Sequence, residues 1–83
     1  MSEPTKHPLV EEAIRIIGSQ GRLAQAIGSS QSAVSRMLLR EIPVTAEVAV
    51  AIERATERKV PRWRIRPDLW DPPGHSAQAE EAA

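Results

Sequence analysis

Apolar residues recur at helical spacing along most of the chain. From Pro8 onward, large apolar side chains return every three or four positions with charged residues between them, which is typical of a helix with one buried face. Gly18 ends this first helix. The same pattern begins again after Ser19, Ser30 and Thr45, three residues suited to cap the N-terminus of a helix. No segment alternates with the two-residue period of a strand, so the pattern predicts an all-α chain.

The C-terminal part of this pattern is less regular. The fourth helix is expected to end near Glu57, and a short fifth helical turn is expected within residues 60–66. Trp63 and Trp70 are expected to supply bulky core area, because the chain contains no Phe or Tyr. The alternative is a dimer contact through Trp63, Ile65 or Trp70.

Length and charge divide the chain into three parts. Residues 1–7 are expected to form a flexible arm, residues 8–70 one folded domain, and residues 71–83 a disordered acidic tail without large apolar side chains. The whole chain has 11 basic and 11 acidic residues. The folded part has ten basic and seven acidic residues, or +3, and the tail carries −3. The neutral total therefore combines a basic domain with an acidic tail.

Several function classes lack the residues that they need. Without Cys there is no disulfide and no thiolate zinc site. His7 and His75 lie near opposite ends of the sequence, and no catalytic triad or phosphate-binding Gly loop is present. We expect no enzyme activity, no metal and no cofactor. No apolar run approaches the roughly 18 residues of a membrane span, and no secretory signal is recognisable. The expectation is a cytoplasmic protein.

Two short helices with a tight turn between them predict a helix-turn-helix over residues 20–39. Ala24 is the small residue that lets two steeply crossing helices approach, and Gly28 tolerates the positive φ that the turn needs. Val34 is the branched residue that the second helix buries against the first. The positions assigned to this structural core are Leu23, Ala24, Ile27, Gly28, Val34 and Met37. An ordinary all-α core is the alternative, since Ala and Gly pack many helices.

The outer face of the third helix, residues 31–39, carries side chains that can contact DNA. Gln pairs bidentately with adenine and Arg with guanine in the major groove, while Ser can contact a base or a phosphate. The predicted base contacts are Gln31, Ser32, Ser35 and Arg36. Predicted phosphate contacts, which set the register without reading sequence, include Arg22, Ser30 and Arg40. For each of these side chains, an ordinary solvated surface position is the alternative.

A second basic cluster lies near the end of the domain. It consists of Arg58, Lys59, Arg62, Arg64 and Arg66. These side chains could flank DNA, or they could be solvated or paired with neighbouring acids. The acidic candidates for such pairs are Glu53, Glu57 and Asp68. We favour the solvated or paired interpretation over the DNA contact.

Three segments, GSQGRLAQAIGSSQSAVSRML, VTAEVAVAIERAT and RPDLW, together resemble the YdaS-type antitoxins or Cro-like regulators of prophages and mobile elements. The resemblance covers about residues 6–70. It implies a small domain of four to five helices with a lambda-repressor-like helix-turn-helix. In similar repressors, a Gln at the start of the second helix contacts phosphate and braces the Gln of the recognition helix, and Gln20 matches that position. Gly21 departs from the pattern, because a good helix former is expected there.

The sequence therefore predicts a sequence-specific transcriptional regulator that binds double-stranded DNA. We expect a repressor that acts as a homodimer on a palindromic operator, with half-sites about one helical turn apart. Two alternatives stay open. One is an activator, and the other is an antitoxin or protein-interaction module that neutralises a toxin partner, which the family resemblance and the acidic tail favour.

Overall fold

In a computed structural model of the protein, residues 6–72 are described, and every regular element in that range is a helix. The helices are α1 (Pro8–Ile17), α2 (Gln20–Ile27), α3 (Gln31–Leu38), α4 (Ala46–Ala55) and α5 (Arg62–Ile65). The prediction of an all-α domain with four to five helices is confirmed. Most of the predicted arm and most of the acidic tail lie outside the described residues. None of the helices within residues 6–72 is long and apolar enough to cross a membrane.

Side-chain caps define where the first four helices begin. Ser19, Ser30 and Thr45 each accept the backbone N–H three residues further on, at 3.1, 3.0 and 3.2 Å. All three caps were predicted from the sequence and are confirmed. The cap of α1 was not predicted: His7 Nδ1 accepts the backbone N–H of Leu9 at 3.3 Å.

Residues in the left-handed conformation end α2, α3 and α4. Gly28 has the positive φ that the turn after α2 requires, at 72°. Arg40 follows α3 with a φ of 63°, and Glu57 follows α4 with a φ of 56°. An L side chain in this conformation costs about 1–2 kcal/mol. Because Glu57 leaves the helical region, α4 ends at Ala55, two residues before the position expected from the sequence.

The core forms around α2, which packs against α1, α3 and α4. The buried apolar side chains come from all five helices and from the segments between them: Val10, Ala13, Leu23, Ala24, Val34, Met37, Leu38, Val44, Ala49, Ile52, Val60 and Ile65. Four of the positions assigned to the helix-turn-helix core are in this set. Ile27 is half-buried and packs against the set from its edge.

Side-chain contacts of Arg66 and Arg62 hold the C-terminal segment in place. Arg66 donates one guanidinium N–H to the Val44 carbonyl at 2.9 Å and two to the Asp68 carboxylate at 3.0 and 2.7 Å. The hydrogen bond from Arg66 is the main reason why the pKa of Asp68 lies below its usual range. Arg62 lies over the Trp70 ring, with its Cζ 5.4 Å from the ring centroid.

The two tryptophans differ in their surroundings. Trp70 packs against the core, as expected. Trp63 is half-buried and is not part of the core cluster, so the prediction was wrong for this residue. Ile65 lies two positions later, about 200° around the helix from Trp63. Ile65 is 7% exposed, so α5 directs Ile65 into the core and Trp63 away from it. Because Ile65 is buried, its side chain is not available for the dimer contact that the sequence suggested as an alternative.

Candidate nucleic-acid interface

Residues 20–38 contain two eight-residue helices, α2 and α3, joined by a three-residue connection. We call this segment the helix-turn-helix unit. Val34, Met37 and Leu38 bury one face of α3 in the core. Because the buried positions recur at helical spacing, the opposite face of α3 is left to the solvent. The helix-turn-helix unit therefore exposes one short polar helix face, and the buried side chains of α3 hold this helix in place.

The predicted base contacts lie on this outer face. Gln31, Ser32 and Arg36 are exposed, and Ser35 is half-buried. No ion pair within residues 6–72 involves Arg36. A guanidinium without an internal carboxylate partner keeps its donors available for a bidentate contact. The structure thus brings the four side chains onto one helix, with Ser35 the least accessible.

The first residue of α3 contacts the second residue of α2. A Cβ added at Gly21 would lie 3.4 Å from the Gln31 Oε1 atom. The side-chain amide of Gln31 therefore rests on the glycine, which offers no side chain of its own. Gln20 is half-buried beside it. No hydrogen bond in the described part of the chain joins the Gln20 and Gln31 side chains, so the bracing implied by the resemblance is not present in this structure.

Three of the predicted phosphate contacts lie at the N-terminal ends of α2 and α3. Arg22 is exposed, and its guanidinium packs over Gly18, 3.4 Å from where a Cβ would be. Ser30 accepts the Ala33 amide through its oxygen, and its O–H remains available as a donor. Gln20 begins α2. These side chains are near the free backbone N–H groups of two helix starts, where anions are stabilised.

Arg40, the fourth predicted phosphate contact, lies at the opposite end of α3. An eight-residue helix is about 12 Å long, so Arg40 is well separated from Gln31. The backbone N–H of His7 donates to the Leu38 carbonyl at 2.8 Å, which brings the start of α1 to this end of α3. Burial, and secondarily the charge of Arg40, hold the pKa of His7 below its usual range.

The second basic cluster separates into paired and unpaired side chains. Arg62 contacts Glu53 at 2.6 Å, Arg64 contacts Glu12 at 3.9 Å, and Arg66 contacts Asp68 at 2.7 Å. Arg58 and Lys59 are exposed, and neither forms an ion pair within residues 6–72. Two of the predicted pairs are therefore present, Arg62 with Glu53 and Arg66 with Asp68, while Arg64 pairs with Glu12, which was not among the predicted acids. No local pattern distinguishes Arg58 and Lys59 from the other three, because the difference depends on the turn after α4.

No group of three or more His, Asp or Glu side chains within residues 6–72 could hold a metal ion.

The family model described as bacterial toxin YdaS matches residues 10–73, which is most of the chain. The match runs from α1 through the Arg66–Trp70 segment and includes the whole helix-turn-helix unit. Comparison with curated proteins and with solved structures gave no match. The family description names a toxin, whereas the sequence resemblance named antitoxins and Cro-like regulators. The match covers more than half of the chain, and the chain belongs to the YdaS family.

Proposed function

We propose that this protein is a sequence-specific DNA-binding transcriptional regulator whose helix α3 enters the major groove. The observation that carries the proposal is the outer face of α3, where exposed Gln31, Ser32 and Arg36 project from a helix anchored by buried Val34 and Met37. An α-helix fits the major groove, and the N-terminal residues of a recognition helix contact base edges there.

Each side chain of this face has a distinct role in the proposal. Gln31 pairs with an adenine and Arg36 with a guanine through two hydrogen bonds each. Ser32 and Arg36 are four residues apart, and so are Gln31 and Ser35. Each pair therefore lies along one side of α3, and the two pairs are adjacent. The two serines contact a base or a phosphate. The helical geometry of α3 fixes the distance between Gln31 and Arg36 and therefore the spacing of the bases that they read.

Phosphate contacts would set the register of α3 in the groove. Gln20, Arg22 and Ser30 belong to one group at the helix starts, and Arg40 belongs to the far end of α3. The two groups would contact the DNA backbone on either side of the bases that α3 reads. The charge of +3 over residues 8–70 supports association with a polyanion.

We further propose that the protein acts as a repressor and as a homodimer on a palindromic operator. A two-fold dimer places its recognition helices about 34 Å apart, which is one turn of DNA. Leu69 is 47% exposed and Trp63 is half-buried outside the core. These two apolar side chains near the end of the domain offer contact area for a second copy.

Selection of bound DNA from a random pool, repeated at several salt concentrations, tests the proposal. We expect one enriched palindromic motif. Arg36→Ala should cost about 1–3 kcal/mol at one base position and relax the preference there. Arg15→Ala, which removes an exposed arginine of α1 outside the helix-turn-helix unit, is the matched control and should keep the motif. A steep salt dependence without an enriched motif would leave only non-specific binding and contradict the proposal.

The family description favours a second candidate function, the binding of a protein partner in a toxin–antitoxin pair. In this case the acidic residues 71–83 supply part of the contact. Co-purification of the full chain with the products of neighbouring genes should yield a stoichiometric partner, and deletion of residues 71–83 should weaken its retention. If the deletion leaves the set of co-purifying proteins unchanged, residues 71–83 do not contribute to this function.

A further inference from the structure

The turn after α4 contains two consecutive residues in the left-handed conformation. Glu57 has a φ of 56° and Arg58 a φ of 70°. Neither residue is glycine or asparagine, the types that adopt this conformation at little cost. Backbone strain of this kind persists only where the surrounding structure enforces it, and it is concentrated at functional sites. We call residues 56–60 the α4–α5 loop.

Buried hydrogen bonds enforce the conformation of the α4–α5 loop. The Thr56 hydroxyl, whose residue is 1% exposed, donates to the Ile52 carbonyl at 2.8 Å and accepts the Val60 N–H at 3.1 Å. The Arg58 N–H donates to the Glu53 carbonyl at 2.7 Å. Val60 is fully buried. The loop is therefore anchored at both ends, and its two exposed cations project from a fixed backbone.

No carboxylate in the described part of the chain is bound to either of those two cations, although exposed Glu57 directly precedes them. The Glu53 carboxylate, on the last turns of α4, is engaged by Arg62 at 2.6 Å. Arg58 and Lys59 form no ion pair in the described part of the chain, whereas the three arginines that follow do. Two adjacent cations on a rigid loop, with no internal carboxylate bound to them, form a surface suited to an external anion.

The position of the loop relates this surface to the helix-turn-helix unit. Lys59 lines an open cleft of about 290 Å³ together with Glu57 of the same loop and with Ile16 and Ile17, the last two residues of α1. The next residue is Gly18, over which the Arg22 guanidinium packs. Lys59 and Arg22 thus lie on either side of the corner between α1 and α2. This is the corner at which α2 begins and at which the proposed function places phosphate contacts.

We propose that Arg58 and Lys59 bind the phosphate backbone of the DNA held by α3. They extend the contact of Arg22 around the α1–α2 corner, outside the helix-turn-helix unit. This inference rests on the proposed function, since the DNA must first be positioned by α3. Contacts to phosphate carry no sequence information, so the loop adds affinity equally on all sequences and strengthens the salt dependence.

Salt titrations of single-charge variants test the inference. Lys59→Gln removes one cation, and Arg58→Asn removes the other while introducing a residue that favours a φ of 70°. The slope of log K against log salt is negative, and for each variant its magnitude should decrease by about 0.9. The decrease should be the same on the selected operator and on unrelated duplex DNA. Arg64→Gln is the matched control, because it removes one charge from a side chain already directed at Glu12, and its slope should equal that of the parent protein. Thermal melting by circular dichroism checks that each variant is folded.

The two proposals fail differently in this experiment. If the parent protein shows no operator preference, the proposed function is wrong and this inference falls with it. If the parent binds an operator and Arg36→Ala relaxes its specificity, but Lys59→Gln and Arg58→Asn keep the parent slope, only the loop contact is wrong. If Arg64→Gln lowers the slope as much as Lys59→Gln does, the effect is one of overall charge, and the assignment to the loop is also wrong.

Discussion

The side-chain amide of Gln31 lies against Gly21, so that a Cβ on the glycine would be 3.4 Å from Oε1 and 3.9 Å from Cδ of the glutamine. Gly21 is the second residue of α2, and Gln31 is the first residue of α3. A glycine there weakens the start of α2, because it lowers helix propensity relative to alanine. In return, it leaves room for the first side chain of the proposed recognition helix. A methyl group at this position would still be at ordinary contact distance from Gln31, so only a longer side chain would compete for this space.

Substitution of Gly21 should separate helix stability from DNA reading. Gly21→Ala places a methyl group at ordinary contact distance from Gln31, so we expect the free energy of unfolding to rise by about 0.5–1 kcal/mol with operator preference unchanged. Gly21→Leu should displace the Gln31 amide and lower discrimination at the base position that Gln31→Ala affects. Chemical denaturation and binding to single-base operator variants measure both effects. Full discrimination by Gly21→Leu would show that the contact does not position Gln31.

The strained turn after α4 allows a prediction about stability. Glu57→Gly removes the steric cost of a left-handed L residue and should raise the free energy of unfolding by about 0.5–1 kcal/mol, after the greater backbone freedom of glycine in the unfolded chain is included. Lys59→Gly is the matched control: its φ is not in the left-handed region, so glycine there should destabilise the protein. Urea denaturation of the two variants gives the comparison. A loss of stability in Glu57→Gly would show that its side chain contributes more than its backbone costs.

The sequence was sufficient to predict the helices where local chemistry sets their ends. Ser19, Ser30 and Thr45 are strong caps and Gly28 is an unambiguous stop, so α2, α3 and the start of α4 were predicted to within a residue. The end of α4 was harder to predict, because Glu57 carries no sequence signal for a left-handed turn. That turn depends on the buried Thr56 hydroxyl and its bonds to Ile52 and Val60.

The candidate site was predictable in its residue types and not in its contacts. Helical periodicity alone placed Gln31, Ser32 and Arg36 outward, because their neighbours on α3 are apolar. The contact between Gln31 and Gly21 joins two helices, and no local pattern encodes it. The same applies to Arg58 and Lys59: that neither binds Glu53 depends on how Arg62 approaches this carboxylate across the end of α4.

Protonation of His7 should destabilise the fold below about pH 6.5. His7 Nδ1 must be unprotonated to cap α1, and burial, followed by the charge of Arg40, lowers the pKa of His7 in the folded protein. Above its ordinary pKa of about 6.5, His7 is neutral in both states and the cap is fully effective. As the pH falls below that value, the unfolded chain takes up the proton first, so stability is lost until the lowered pKa of the folded state is passed.

His7→Asn keeps a capping side chain that does not titrate. Urea denaturation at several pH values should show a smaller loss of stability for His7→Asn than for the parent, and equal losses would contradict the assignment.

Removal of residues 71–83 should strengthen DNA binding at low salt. The tail contains Asp71, Glu80 and Glu81, and its −3 offsets the +3 of residues 8–70. Without the tail, the DNA meets a basic domain, and the gain in affinity should be similar on operator and unrelated sequences because it is electrostatic. The gain should shrink as salt rises and the Debye length falls from about 30 Å at 0.01 M to about 8 Å at 0.15 M.

The full-length double variant Glu80→Gln/Glu81→Gln removes two of the three tail charges at constant chain length, and it should reproduce most of the effect. If truncation strengthens binding and the double variant does not, bulk rather than charge is responsible. If neither changes affinity at low salt, the tail charges do not influence the DNA surface at all.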